Sequence, residues 1–264
     1  MKHVIGFSGG VTSWMAAKRV AERHGTADMT LLFADTRMED EDLYRFIVQA
    51  ASNVGAPLVV LADGRTPWGV FNDERFLGNS RIDPCSKILK RKLLDKWRDA
   101  NMNQLTDVNY VGLDWTELHR VERLLPRVVP WRYEAPLCEK PWIDKTEALA
   151  ALEREGIKPP RLYGMGFPHN NCGGFCVKAG QAQFKLLLDK MPDRYRFHEE
   201  QEEALRARLG KDVSILRDRR GGESKPLTLK DFRERVQADA KDHDELDFGG
   251  CGCAIDEPPE GGTL

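Results

Sequence analysis

His3-Val-Ile-Gly-Phe-Ser-Gly-Gly-Val-Thr-Ser13, running directly into Trp14-Met-Ala-Ala-Lys-Arg-Val-Ala21, is the stretch whose reading decides the fold. Val4 to Phe7 is a short apolar run and reads as a buried strand. From Ser13 the spacing of Met15, Ala16, Ala17, Val20 and Ala21 predicts an amphipathic helix. The glycines between them let the backbone turn tightly and clear away side chains that would hold a phosphate off. Hydroxyls at Ser8, Thr12 and Ser13 add donors, and the unpaired N–H groups of the new helix point the same way. Ser8, Gly9, Gly10, Thr12 and Ser13 thus read as an anion cradle, most simply for phosphate. An ordinary Gly-rich turn is the alternative, since short motifs of this kind recur by chance. No Gly-Lys-Ser/Thr follows, and Gly-x-Gly-x-x-Gly is absent, so neither the lysine-bearing P-loop nor a dinucleotide fingerprint is supported.

Working outward, Met29 to Ala34 is a second apolar strand ending at Asp35-Thr36. A helix follows from about Asp40 with Leu43, Phe46, Ile47 and Ala50 on one face, and residues 57–61 form a third strand. Strands alternating with helices predict an α/β fold, a doubly wound parallel sheet of Rossmann-like type. Ligands of such sheets sit beyond the carboxyl ends of the strands, where the first loop and Asp35-Thr36 both fall. Asp35 taken alone reads equally as a helix N-cap.

The chain has 264 residues, enough for one sizeable core or a main domain with an appendage. Lys and Arg number 40 against 42 Asp and Glu, so no global field favours nucleic acid. No apolar run reaches membrane-spanning length, and a soluble cytoplasmic protein is expected. Six cysteines in a reducing compartment read as metal ligands or redox thiols rather than disulfides.

The middle of the chain carries less. Cys85 precedes a helix expected over residues 86–98 that bears Lys87, Lys90, Arg91 and Lys92; a helix start and nearby lysines favour thiolate. Residues 109–113 read as a fourth strand. The spacing of Asp144 and Glu147 marks a helix start. Cys172-Gly-Gly-Phe-Cys176 can turn two sulfurs toward one point, with two buried cysteines as the alternative. A helical stretch from Gln181 to about Leu209, broken near Pro192, carries His198 among Glu199, Glu200, Glu202 and Glu203 and reads as a solvated acidic helix. The segment Phe248-Gly-Gly-Cys251-Gly-Cys253 is expected to fold back onto the body, and residues 254–264 to be disordered.

Several of these segments resemble one family. The first loop is similar to the Ser-Gly-Gly-x-Asp-Ser loop of the adenine nucleotide alpha hydrolase (PP-loop) group, which includes ATP pyrophosphatases and the adenylyl-sulfate (APS, PAPS) reductases. Thr12 stands where the ATP-cleaving members carry Asp. Phe33-Ala-Asp-Thr36 with Asp42-Leu-Tyr-Arg-Phe46 resembles the family's segment beside the adenosine. The stretch from Cys85 is similar to its Cys-x-x-x-Lys segment, with Pro84 where the cluster-bearing reductases have a second cysteine. Asn109-Tyr-Val-Gly112 falls at its Gly-x-Arg loop; the loop Arg is replaced, and Arg120 and Arg123 are candidate substitutes. Leu162-Tyr163 with Cys172 and Cys176 resembles its second cysteine segment with one extra residue between the thiols. The terminal cysteines resemble its Glu-Cys-Gly-x-His tail, without the Glu or the His.

The resemblance implies a nucleotide-binding α/β domain over 1–165 and a helical, Cys-bearing region over 166–253. Ser8, Gly9, Gly10, Thr12, Ser13, Asp35, Thr36, Lys87, Gly112 and Arg120 would bind an adenine nucleotide, ATP or adenylyl sulfate. Cys85, Cys172, Cys176 and Cys253 would hold a [4Fe–4S] cluster, with zinc as the alternative, and Cys138 is left as a spare ligand or core residue. Cys251 would be the nucleophile, served by a thioredoxin-like donor. An ATP- and Mg²⁺-using sulfur transferase acting on a nucleic acid or other substrate is the runner-up, and a non-catalytic nucleotide and metal sensor the third reading.

Overall fold

A computed structural model describes residues 1–239 and 243–249. Five parallel strands, β1 (His3–Gly6), β2 (Met29–Asp35), β3 (Leu58–Ala62), β4 (Val108–Tyr110) and β5 (Arg132–Glu134), form one sheet in the order β3-β2-β1-β4-β5. The chain winds outward from β1 in one direction through β2 and β3, then returns to lay β4 on the other side of β1. The expected doubly wound architecture is present, with its switch point between β1 and β4.

Alternation along the strands sorts the two faces. Ile5, Phe7, Leu31, Phe33 and Val108 pack in one core with α1 (Val11–His24), α2 (Glu41–Val54) and α7 (Lys145–Arg154). Leu31, Leu43 and Phe46 are fully buried there, each worth about 1.5–3 kcal/mol relative to exposure. The helices carry their own punctuation. Asp40 caps α2 by accepting from the Asp42 N–H at 3.0 Å, and Gly55 closes it in the left-handed region. Asp144 and Glu147 form the reciprocal capping box that their spacing predicts.

Val4, Gly6, Leu32 and Ala34 look out of the opposite face. That face is crossed by a continuous helical segment: a short turn α4 (Pro84–Ser86), a π turn over Lys87–Arg91, and α5 (Lys92–Asn101). The π turn inserts one residue per turn, so the helix presents a different side after it than a uniform 3.6-residue period would.

A second core joins α3 (Pro67–Asp73), the short α8 (Arg161–Gly164), α9 (Gln181–Lys190), α10 (Pro192–Leu209) and α11 (Leu229–Ala238) through Trp68, Phe71, Phe175, Phe184 and Phe232. A two-stranded hairpin, β6 (Leu216–Asp218) with β7 (Lys225–Leu227), closes its far side. α6 (Leu118–Val128) packs on β5 at the edge of the main sheet. The break at Pro192 occurs where the sequence predicts it.

α10 departs from its expected solvated character. His198 and Glu202 are fully buried and Glu199 nearly so. Each has a structural partner: His198 Nδ1 accepts from the Trp68 indole N–H at 2.9 Å, Glu199 takes the Arg233 guanidinium through both oxygens, and Glu202 accepts the Ile215 and Leu229 N–H groups. Charge density along the helix concealed a face that satisfies the backbone of the 213–229 segment.

Candidate functional site

At the end of β1 the chain passes through Phe7-Ser8-Gly9-Gly10 into α1. Two glycines make this turn fit its neighbours. Gly9 sits at φ +80°, and a Cβ there would lie 2.5 Å from Leu43 Cδ1 of α2. Gly112, just past β4, lies so close to α1 that a Cβ would come within 2.6 Å of Ser13 Cα and 2.7 Å of its nitrogen. The helix start is therefore wedged into the switch point. Ser13 is buried and donates its hydroxyl to the Gly10 carbonyl at 2.7 Å, so it braces the turn. α1 has no acidic residue in its first turn and no side-chain cap at Gly10, which leaves its positive end open to an anion.

A cavity of about 500 Å³ opens at this point, a size that suits a nucleotide. Ser8, Gly10 and Thr12 line it from the first loop, and Gly112 and Arg120 from the β4 side. Lys90, Arg91 and Arg98 line it from the π turn and α5, and Lys145 from the start of α7. Arg98 pairs with Asp95 at 2.8 Å and donates to the Tyr133 hydroxyl; Arg120 pairs with Glu117. Lys145 lies 4.3 Å above the Tyr163 ring, and the Tyr163 hydroxyl accepts from the Val11 N–H at 3.4 Å. A basic wall thus faces the helix terminus.

Other residues named from the sequence stand apart from this cavity. Lys87 is exposed and does not line it; the π turn brings Lys90 and Arg91 round instead. Asp35 does not line it either. Its Oδ1 accepts from the Tyr44 hydroxyl and the Arg37 N–H, both at 2.8 Å, so it ties β2 to α2. Asn170, which the sequence reading passed over, is 3% exposed, lines the cavity, and donates through Nδ2 to the Gly9 carbonyl at 3.4 Å. Its Oδ1 is buried with no hydrogen-bond partner among the described residues. Only its place two residues before Cys172 could have drawn notice.

A second, much smaller cavity lies behind the first. Cys85, Cys172 and Cys176 all line it, with Thr36, Asp83 and Lys90. Three successive left-handed residues, Cys172 (φ 50°), Gly173 (φ 60°) and Gly174 (φ 85°), curl the chain so that both cysteines of this segment face it. A Cβ on Gly173 would meet the Arg194 guanidinium, and one on Gly174 would lie 2.7 Å from Phe167 Cε1. The Cys172 N–H donates to Glu39 Oε2 at 2.5 Å, and the Thr36 hydroxyl donates to Glu39 Oε1 at 2.9 Å.

Burial dominates the electrostatics of Cys85 and Cys172. It pushes the Cys85 thiol up to about 12, helped by Cys176 and Asp83, and raises the Cys172 thiol well above its ordinary value, helped by Glu39. The helix-start argument for a Cys85 thiolate is overridden: α4 is a three-residue turn, and desolvation outweighs its dipole. Cys138 belongs elsewhere. It packs beside Val121 and Leu124, and its sulfur donates to the Leu113 carbonyl at 3.6 Å. Among the described residues no three His, Cys, Asp or Glu side chains stand as a site for a metal ion.

Cys251 and Cys253 lie outside the described residues. The chain leading to them does return to the body: Gly249 bridges Ala179, and the Ala182 N–H donates to the Asp247 carbonyl at 2.9 Å. Ala179 in turn donates to the Cys176 carbonyl, so this contact adjoins the thiol segment.

No family model matches the chain, and no curated protein matches it. Among solved structures it is similar to the crystal structure of phosphoadenylyl-sulfate (PAPS) reductase from Candida auris in its phosphate complex. That likeness has 14% sequence identity and a TM-score of 0.46, and covers 65% of this chain and 81% of that one.

Proposed function

We propose that the chain is an adenine-nucleotide-dependent enzyme of sulfur chemistry that works like the adenylyl-sulfate reductases. One observation carries the reading. Lys90 lines both cavities, so an anion held at the switch point and the three thiols share one buried cation. The nucleotide phosphates would rest on Ser8, Gly10, Thr12 and the N–H groups of α1, with Lys90, Arg91, Arg98 and Arg120 meeting the remaining charge. Asn170 Oδ1 offers an acceptor to a ligand hydroxyl or amine beside that loop.

In this reading the Cys251 thiolate attacks the sulfur of adenylyl sulfate. The S–O bond to the nucleotide phosphate breaks, its electron pair leaves with the phosphate, and a cysteine S-sulfonate remains. A dithiol of the thioredoxin type then attacks the cysteine sulfur, releases sulfite and ends as a disulfide once Cys251 is freed. The two electrons that reduce the sulfur come from that donor, so the step balances.

Cys85, Cys172 and Cys176, which line one cavity, would hold a [4Fe–4S] cluster, with Cys253 as the fourth ligand. A bound cluster would supply a redox-active, polarising wall beside the sulfate. Ligation requires Cys85 and Cys172 to lose protons that burial favours on them.

The test uses the full chain purified without air. Adenylyl sulfate and a dithiol should yield sulfite, and Cys251→Ser should abolish it. Pyrophosphate from ATP and Mg²⁺ without sulfite would replace this reading with the adenylating sulfur transferase. Turnover of neither substrate would leave the nucleotide-sensing reading.

A further inference from the structure

A third cavity, of about 470 Å³, shares no lining residue with the nucleotide or thiol cavities. It lies between the loop 75–81 and the segment that runs from the end of α10 into the β6–β7 hairpin. Five cations line it, Arg75 and Arg81 on one wall and Lys211, Arg217 and Arg219 on the other. Its single acid is Asp212, which is already paired with Arg206 at 3.0 Å. In a chain whose net charge is only −2, this is a marked local excess.

Four of the five cations, Arg75, Arg81, Lys211 and Arg217, have no carboxylate partner among the described residues. Among the described residues the Arg217 guanidinium donates to the Ser224 hydroxyl and carbonyl, and Arg219 pairs loosely with Asp247 at 3.9 Å. Like charges drawn to one concavity repel unless an anion is shared between them. The walls are also set in place. Asn79 Oδ1 accepts the Arg81 and Ile82 N–H groups at 2.9 and 3.2 Å, and Arg75 holds φ +52°, a conformation rare outside glycine. Guanidinium forks with the Ser80 and Ser224 hydroxyls beside them are the donor set that phosphate oxygens take.

We propose that this cleft is a second ligand site, for a molecule carrying two or more phosphate groups, either a free polyphosphate compound or a nucleic-acid strand. The proposal does not depend on the reaction assigned to the first site. It does place the second ligand near that chemistry, because the loop 75–81 runs on into Asp83 and Cys85 of the thiol cavity.

Two probes distinguish the sources: tripolyphosphate by calorimetry, and a labelled twelve-nucleotide oligouridylate by fluorescence anisotropy at low and moderate salt. At least one should bind with a Kd in the micromolar range. The double substitution Arg75→Glu/Arg81→Glu should weaken it at least tenfold, and Lys211→Glu, on the opposite wall, should do so independently. ADP binding at the switch-point cavity and the melting curve should stay unchanged in both variants. Tripolyphosphate binding alone identifies a small phosphorylated ligand; oligonucleotide binding that falls steeply with salt identifies a strand. Failure of both probes to bind below millimolar concentration overturns the proposal, as does binding that survives both charge reversals.

Discussion

Lys90 Nζ stands 4.0 Å from Glu39 Oε1, a cation and a carboxyl both withdrawn from water, and Lys90 lines both the switch-point and thiol cavities. Burial pushes the Glu39 carboxyl up, and Lys90, the Thr36 hydroxyl and the Cys172 N–H pull it back. Four groups from the loop after β2, the π turn and the cysteine segment thereby fix one another.

Lys90→Met removes the cation that stands 4.0 Å from Glu39 and opposes the effect of its burial. A buried ion pair broken on one side costs about 3–5 kcal/mol, and Glu39 can escape part of that by taking a proton. Stability should therefore fall by about 3 kcal/mol at neutral pH and by less at pH 5. Adding Glu39→Gln should recover part of the loss. Denaturant melts of the three variants at both pH values check this, and a uniform loss at both would show that the pair is not electrostatically coupled. Turnover should drop at least about tenfold, the equivalent of 1.4 kcal/mol.

Gly112→Ala tests the wedge at the switch point. The added Cβ meets backbone atoms of Ser13 at 2.6 and 2.7 Å, and backbone cannot swing aside as a side chain tip can. α1 must retreat, at a cost of about 1–3 kcal/mol. Nucleotide affinity should weaken more than stability does, because the helix terminus and the Ser8–Thr12 loop move together. Calorimetric titration with ADP beside a thermal melt separates the two effects; unchanged affinity would remove the loop from the binding site.

Much of this was legible. The apolar runs before Ser8 and Asp35 and the 3.6-residue spacing after Ser13 and Asp40 predict the alternation that builds the sheet. Gly-Gly between two cysteines predicts their turn. What the residues could not convey was register and burial. Lys87 and Lys90 look equivalent on a uniform helix, and the π turn that separates them leaves no mark in composition. The three-residue strands β5, β6 and β7 are too short for alternation to register. The acidic face of α10 reads as solvated until the N–H groups it serves are known.

Among the cysteines, shared location sets the expectation. Cys85→Ser, Cys172→Ser and Cys176→Ser should each deplete iron and acid-labile sulfide in protein purified without air, while Cys138→Ser should retain both. Cys138 is already bonded to the Leu113 carbonyl and lines neither of the two cavities. Stoichiometric zinc in a colourless wild-type protein would remove the cluster from the proposed function and leave the thiol arrangement standing.

His198 and Glu202 sit one helical turn apart on the buried face of α10 and impose opposite pH slopes on stability. Burial raises the Glu202 carboxyl from 4.5 to about 7, against the pull of the Ile215 and Leu229 N–H groups. Between those two values the folded chain binds a proton that the unfolded chain has lost, so stability is fully present below about 4.5 and declines as pH rises through about 7. Burial, with Arg194 nearby, holds His198 neutral well below its ordinary 6.5, so the unfolded chain takes up the proton first and stability declines as pH falls through that value. The wild type should therefore be flat across pH 5–7 compared with either single variant. Glu202→Gln should remove up to about 3 kcal/mol of the alkaline decline, leaving a protein that gains stability from pH 5 to 7. His198→Phe should do the reverse. Urea midpoints across that range measure both, and parallel curves for all three proteins would show that neither side chain titrates differently on folding.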